Sequence, residues 1–114
     1  MTFKVYKSSA GSGKTFTLVK EYLNIALSSD STSNYKGIMA VTFTNKAANE
    51  MKERVIKYLR AIAANEYADG AEKLIQQQLL ESLKIKEGKL QERASKALKS
   101  ILHNYSDFNI STID

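Results

Sequence analysis

The sequence predicts an α/β fold, a parallel sheet with flanking helices and a helical insertion, on three observations. TFKVY at residues 2–6 alternates and then runs into the Ser- and Gly-rich stretch SSAGSG, which reads as a strand ending in a loop. GIMAVTF at residues 37–43 is a near-continuous apolar run of the kind that central parallel strands show. Behind each strand, apolar residues recur at three-to-four spacing, so strand, helix, strand and helix alternate, a right-handed βαβ unit by default.

The first helix is expected over residues 14–28, where Phe16, Val19, Leu23, Ile25 and Ala26 share one face. The polar cluster SSDSTSNYKG then reads as a loop. Thr44 and Asn45 are good N-cap residues. Behind them Ala48, Met51, Val55, Tyr58, Leu59 and Ile62 mark a long amphipathic helix, with Glu50–Arg54 and Glu53–Lys57 at i,i+4. From residue 66 to residue 105, Gln, Glu and Lys dominate. Leu74, Ile75, Leu79 and Leu83, then Leu90, Ala94, Ala97, Leu98, Ile101 and Tyr105, outline two more helices, with Gly70 and Gly88 at the breaks. Some 40 residues bury little alone. Residues 66–105 therefore read as an insertion between the βαβα part at 1–65 and a return strand within 106–114, where FNISTI carries the strand pattern.

Composition narrows the chemistry. The chain has 114 residues, a formal charge of +5 and no Cys, which excludes disulfides, thiolate catalysis and Cys-ligated metals. One histidine, His103, rules out a multi-His metal site. The longest apolar run, residues 38–41, cannot span a bilayer and no secretory segment opens the chain, so no membrane partner and a cytoplasmic location are expected. The absence of Pro, where about six would be average, suits long uninterrupted helices. Charge is uneven: residues 1–65 hold ten Lys/Arg against four acids, and residues 66–114 seven against eight. The basic half is where an anionic partner is expected.

SSAGSGKT at residues 8–15 fits the phosphate-binding loop pattern except at its first position, where Ser8 stands in place of Gly or Ala. Glycines let successive backbone N–H groups face phosphate oxygens, and the following helix N-terminus adds partial positive charge. Ser9, Ala10, Gly11, Ser12, Gly13, Lys14, Thr15 and Phe16 would line the nucleotide. Lys14 would neutralise the outer phosphates and the Thr15 hydroxyl would hold Mg2+, making these two the catalytic candidates. The plain alternative is an ordinary Gly/Ser-rich turn between a strand and a helix. Of the twelve acids only Asp114 falls at a strand end, where an aspartate holding the Mg2+ shell belongs. That strand, however, interleaves Asn109, Ser111 and Thr112 with its apolar residues, unlike the continuous apolar strand such an aspartate usually follows.

Thr42, Phe43, Thr44, Asn45 and Lys46 place hydroxyls, a ring, an amide and a cation at the carboxyl end of the second strand, the edge where open parallel sheets bind ligands. An exposed Phe43 beside Lys46 suits single-stranded nucleic acid, stacked on the ring and held at its phosphates. The competing reading packs Phe43 in the core and leaves Thr44 as a helix cap.

Taken together, SSAGSGKTFTL and AVTFTNKAANEMKERV resemble motifs I and Ia of the superfamily 1 DNA helicases of the UvrD/Rep/PcrA type. The TFTL continuation and the terminal ISTID resemble more closely the RecB/AddA helicase–nuclease branch. The resemblance implies a P-loop NTPase, the leading and partial portion of a RecA-like core domain that binds ATP and Mg2+. It implies single-stranded or duplex DNA as partner, across Thr42–Lys46 and Thr112, a RecC/AddB-like partner subunit, and a role in DNA repair and recombination. Asp114 stands where relatives commonly have His, and neither the upstream adenine-recognition motif nor the second core domain is within the sequence. A fragment of a longer motor, inactive alone, is therefore expected. The rivals are a small P-loop kinase, which usually needs more acceptor-site arginines than Arg54, Arg60 and Arg93, and a non-catalytic nucleotide-dependent binding module.

Overall fold

The computed structural model describes residues 12–30, 34–37, 40–42 and 44–112. Four α-helices account for most of them: α1 (Ser12–Ala26), α2 (Asn45–Ala64), α3 (Gly70–Leu83) and α4 (Glu87–His103). Single 3-10 turns occupy Asn34–Gly37 and Tyr105–Asp107. Two strands of three residues, β1 (Ala40–Thr42) and β2 (Ile110–Thr112), pair in parallel.

This corrects the α/β expectation. The described residues form a helical body in which sheet is confined to the β1–β2 pair, not a P-loop-type parallel sheet flanked by helices. The predicted first strand, residues 2–6, lies outside the described residues. The physical reason is that the helices bury their apolar stripes against one another. α2 packs most extensively on α4, and Met51, Val55, Leu59 and Ile62 share one buried cluster with Leu90, Ala94, Ala97 and Ile101. Each of the larger side chains among them gains roughly 1.5–3 kcal/mol on full burial. Val19, Tyr22 and Leu23 of α1, Ile75 and Leu79 of α3, and Ile110 of β2 belong to the same cluster.

Local chemistry sets the helix ends. At α2, Thr44 is the N-cap: its hydroxyl accepts from the Ala47 amide at 3.0 Å. α2 stops at Asn65, whose φ of 54° places it in the left-handed region, which Asn tolerates better than most residues. Asp69 caps α3 by accepting from the Glu72 amide at 2.9 Å, while the Glu72 carboxylate reaches back to the Ala68 amide at 2.7 Å, a reciprocal arrangement akin to a capping box. Lys57 of α2 bridges both acids, at 3.3 Å to Asp69 and 3.5 Å to Glu72, fastening the start of α3 to α2. The amide hydrogen bond from Glu72, followed by that from Lys57, holds the Asp69 carboxyl below the ordinary aspartate range.

The α3–α4 break differs from the sequence expectation in one detail. Gly88 lies inside the first turn of α4, and the chain reverses at Lys84 with φ 55°. The loop expected between α1 and β1 also contains structure. Tyr35 is fully buried there and hydrogen-bonds the Ser100 carbonyl at 3.1 Å and pairs with the Ser100 hydroxyl at 3.2 Å. Nearby, Arg93 of α4 donates to the Leu27 carbonyl at 3.0 Å and pairs with Asp30 at 3.2 Å, and Lys89 meets Asp30 at 2.7 Å. α4 thereby secures the far end of α1.

Candidate nucleotide and nucleic-acid surfaces

Two helix N-termini carry the residues that the sequence singles out. α1 begins at Ser12, so Ser12, Gly13, Lys14 and Thr15 form its first turn, and no acid lies in that turn. The amides of a first turn have no carbonyl partner within the helix and carry its partial positive charge. A phosphate group fits that chemistry. Ser9, Ala10 and Gly11 lie outside the described residues. Phe16 is half-buried, with its ring edge-on to Tyr58 at 6.4 Å and 75°; the ring belongs to the α1–α2 seam, leaving the Phe16 backbone for a ligand.

The second surface gathers around the start of α2. β1 and β2 are in register so that Ala40 pairs with Ile110, Val41 with Ser111 and Thr42 with Thr112. The two threonines proposed for DNA contact are thus neighbours on adjacent strands, about 4.8 Å apart in a ladder, each the last described residue of its strand. Phe43 lies outside the described residues. Thr44, Asn45 and Lys46 are exposed, Thr44 as the cap and the other two as the first residues of α2. Thr42, Thr112 and the α2 N-terminus therefore share one end of the strand pair, whereas Ser12–Thr15 open α1.

Sequence reasoning missed one arrangement close by. Tyr105, expected to continue an apolar helix stripe, is 48% exposed in the turn after α4. Its ring stands edge-on to buried Phe108 at 5.7 Å and 73°, and the Lys52 ammonium lies 5.4 Å from its centroid. The signal available in the sequence was HNYSDF, an aromatic among turn-forming residues. Elsewhere, a groove of about 530 Å³ runs along α2 between Glu53, Ile56, Arg60 and Glu66. A shallower one, about 290 Å³, lies on α4 at Lys96, Lys99 and His103. Among the described residues no group of three or more His, Asp or Glu could hold a metal, and no helix is long and apolar enough to cross a membrane.

Comparison with known proteins bears on these surfaces. An ATP-dependent helicase/nuclease subunit from a Thermoanaerobacter species is 42% identical over 55 residues, covering 48% of this chain and 4% of that protein. The protein of the same name from Oceanobacillus iheyensis is 44% identical over 59 residues, 51% of this chain and 5% of the relative. The RecBCD enzyme subunit RecB of Buchnera aphidicola is 43% identical over 58 residues, 46% of this chain and 5% of the relative. The matched stretches thus span about one twentieth of the relatives' own length. No solved structure matches the chain at a significant level. The family profile of the UvrD/REP helicase N-terminal domain matches from residue 3 to residue 113, and on that extent the chain belongs to the UvrD/REP helicase N-terminal domain family.

Proposed function

We propose that the chain supplies two working surfaces of an ATP-dependent DNA helicase of the helicase–nuclease kind. One is an ATP·Mg2+ site on residues 9–16; the other is a single-strand contact at Thr42–Lys46 and Thr112. Lys14 neutralises the outer phosphates, the Thr15 hydroxyl holds Mg2+, and bound ATP supplies the free energy for movement along DNA. At the other surface, hydroxyls, the Asn45 amide, Lys46 and α2 amides meet phosphates, while Phe43 offers a ring for a base. These contacts do not read base edges, so sequence preference is expected to be low. The relatives' names also suggest that the whole protein works with a partner subunit on single-stranded or duplex DNA.

The observation that supports this reading most directly is the pairing of Thr42 with Thr112 beside the α2 N-terminus. Residues distant in sequence, both of them polar, meet at one strand end next to amides suited to an anion. The absence of acids from the first turn of α1 supports the nucleotide site independently.

Isothermal titration with ATP·Mg2+ tests the first surface: the chain should bind it weakly and Lys14→Ala should abolish the heat. Unchanged binding in Lys14→Ala would remove Lys14 from this role. Fluorescence anisotropy with a labelled oligothymidylate tests the second, where Lys46→Ala should flatten the dependence of log K on log salt by about one unit.

A further inference from the structure

From the Tyr105–Lys52 pair we infer a further nucleic-acid contact: Tyr105 is a stacking platform for one base, and Lys52 is its phosphate-neutralising neighbour. Together they extend the single-strand path away from the α2 N-terminus along that helix. The inference rests on the single-strand reading of that N-terminus and adds residues that the reading does not contain.

Three observations carry it. The first is that Tyr105 is an aromatic side chain 48% exposed although a buried apolar neighbour, Phe108, stands edge-on to it at 5.7 Å. The ring therefore rests against a buried neighbour on one side and presents surface to solvent on the other. A base can stack on such an exposed ring whatever its identity, because every base has a π-face.

The second is the cation. Lys52 sits 5.4 Å from the ring centroid, and neither Lys52 nor Lys46 has a carboxylate partner among the ion pairs of the described residues. An exposed cation–π contact contributes only about 0.5–1 kcal/mol. An incoming phosphate can therefore take the ammonium with little lost.

The third is the path. Asn45, Asn49 and Lys52 recur at i, i+4 and i+7 and form one stripe of α2, with Asn45 and Asn49 exposed and Lys52 partly so. Glu50 and Glu53 fall on the adjoining stripe with Lys46 and Lys57. The stripe thus runs free of acids for seven residues, about 10 Å, from the proposed contact at the strand ends to Tyr105. At about 3.4 Å per stacked nucleotide that is a span of some three nucleotides. Amides and a lysine along it, with an aromatic at its far end, suit a backbone-tracking, sequence-indifferent strand.

The test is anisotropy titration of a labelled oligothymidylate with the 114-residue chain and its Tyr105→Ala, Tyr105→Phe and Lys52→Gln variants. Tyr105→Ala should weaken binding about 5- to 150-fold, the equivalent of roughly 1–3 kcal/mol for one stacked base. Tyr105→Phe should bind as the parent does, since the ring and not the hydroxyl does the stacking. Lys52→Gln should flatten the salt dependence by about one unit. Tyr105→Trp gives a second readout, because the chain has no other Trp: its fluorescence should be quenched on adding the oligonucleotide. Parent-like affinity in Tyr105→Ala, or no quenching in Tyr105→Trp while Lys46→Ala still alters the salt dependence, overturns this contact and leaves the strand-end surface standing. No binding by the parent chain at low salt overturns both.

Discussion

Thr44 is assigned two jobs whose energetic signs can be separated. Its hydroxyl accepts from the Ala47 amide at 3.0 Å and caps a 20-residue helix, and the same residue belongs to the proposed DNA surface. Thr44→Ala removes the cap, at a cost of about 1 kcal/mol, which for a domain of this size lowers Tm by about 4 °C. Thr44→Asp keeps a capping oxygen and adds a negative charge at the positive end of the helix dipole. It should therefore hold or raise stability by about 0.3–1 kcal/mol. Toward DNA the ordering reverses. The new carboxylate sits where phosphates are to be received, so Thr44→Asp should bind oligonucleotide more weakly than Thr44→Ala, with the gap closing as salt rises. Urea denaturation followed by circular dichroism gives the stabilities, and anisotropy at two salt concentrations gives the affinities. A Thr44→Ala protein as stable as the parent would refute the capping role. Parent-like binding by a stable Thr44→Asp protein would refute the placement of phosphate at this end of α2.

Lys84→Gly should raise stability by about 0.5–1 kcal/mol in the same denaturation assay, because Lys84 turns at φ 55°, where a Cβ costs about 1–2 kcal/mol and glycine's extra unfolded-state entropy returns part of that. Tyr22 is fully buried, its hydroxyl has no hydrogen-bond partner among the described residues, and burial, with Tyr35 as the smaller cause, pushes its phenol far above the ordinary tyrosine range. Above about pH 10 an unfolded tyrosine sheds its proton while folded Tyr22 keeps it, so the unfolded chain binds fewer protons and stability falls as pH rises. Tyr22→Phe should thus stabilise the chain by about 1 kcal/mol at neutral pH and flatten the alkaline limb of a stability-versus-pH series; a steeper limb would contradict this. Arg93→Ala should speed amide hydrogen exchange at Leu27 and Ser28, which close the end of α1, and leave exchange in the middle of α3 at the parent rate.

Much of this was legible in the sequence where the cause is local. The periodicity at Met51, Val55, Leu59 and Ile62 located α2, and Thr44 was its cap as its residue type suggested. Two helices emerged from residues 66–105, and FNISTI contains the three residues of β2. Long-range causes were not legible. Tyr35 sat in a polar loop by composition, yet its burial depends on Ser100 of α4. Within the Gln-, Glu- and Lys-rich stretch, Glu72 and Gln76 are buried, the first bonded to the Ala68 amide and the second to Glu87 at 3.1 Å. The apolar run at residues 37–43 looked like the middle of a wide sheet; its pairing among the described residues is three positions with β2, because helix-on-helix contact takes up the core. Of the candidate site, residue identities and the two helix starts could be read. The register that sets Thr42 beside Thr112 could not, because it is fixed by the parallel pairing of strands far apart in the chain.

The Arg93 contacts have a consequence for the order in which the molecule assembles. α1 has no basic residue in its last turn, and the guanidinium that meets the Leu27 carbonyl arrives from 66 residues downstream. The Leu27 and Ser28 amides close the end of α1 locally, whereas the Leu27 carbonyl meets its guanidinium partner only once α4 has docked. Fifteen residues are marginal as an isolated helix in water, so α1 draws its stability from tertiary contacts, those of the chain's second half among them. The start of α1, where the nucleotide is proposed to bind, thus depends for its placing on contacts made by the chain's second half.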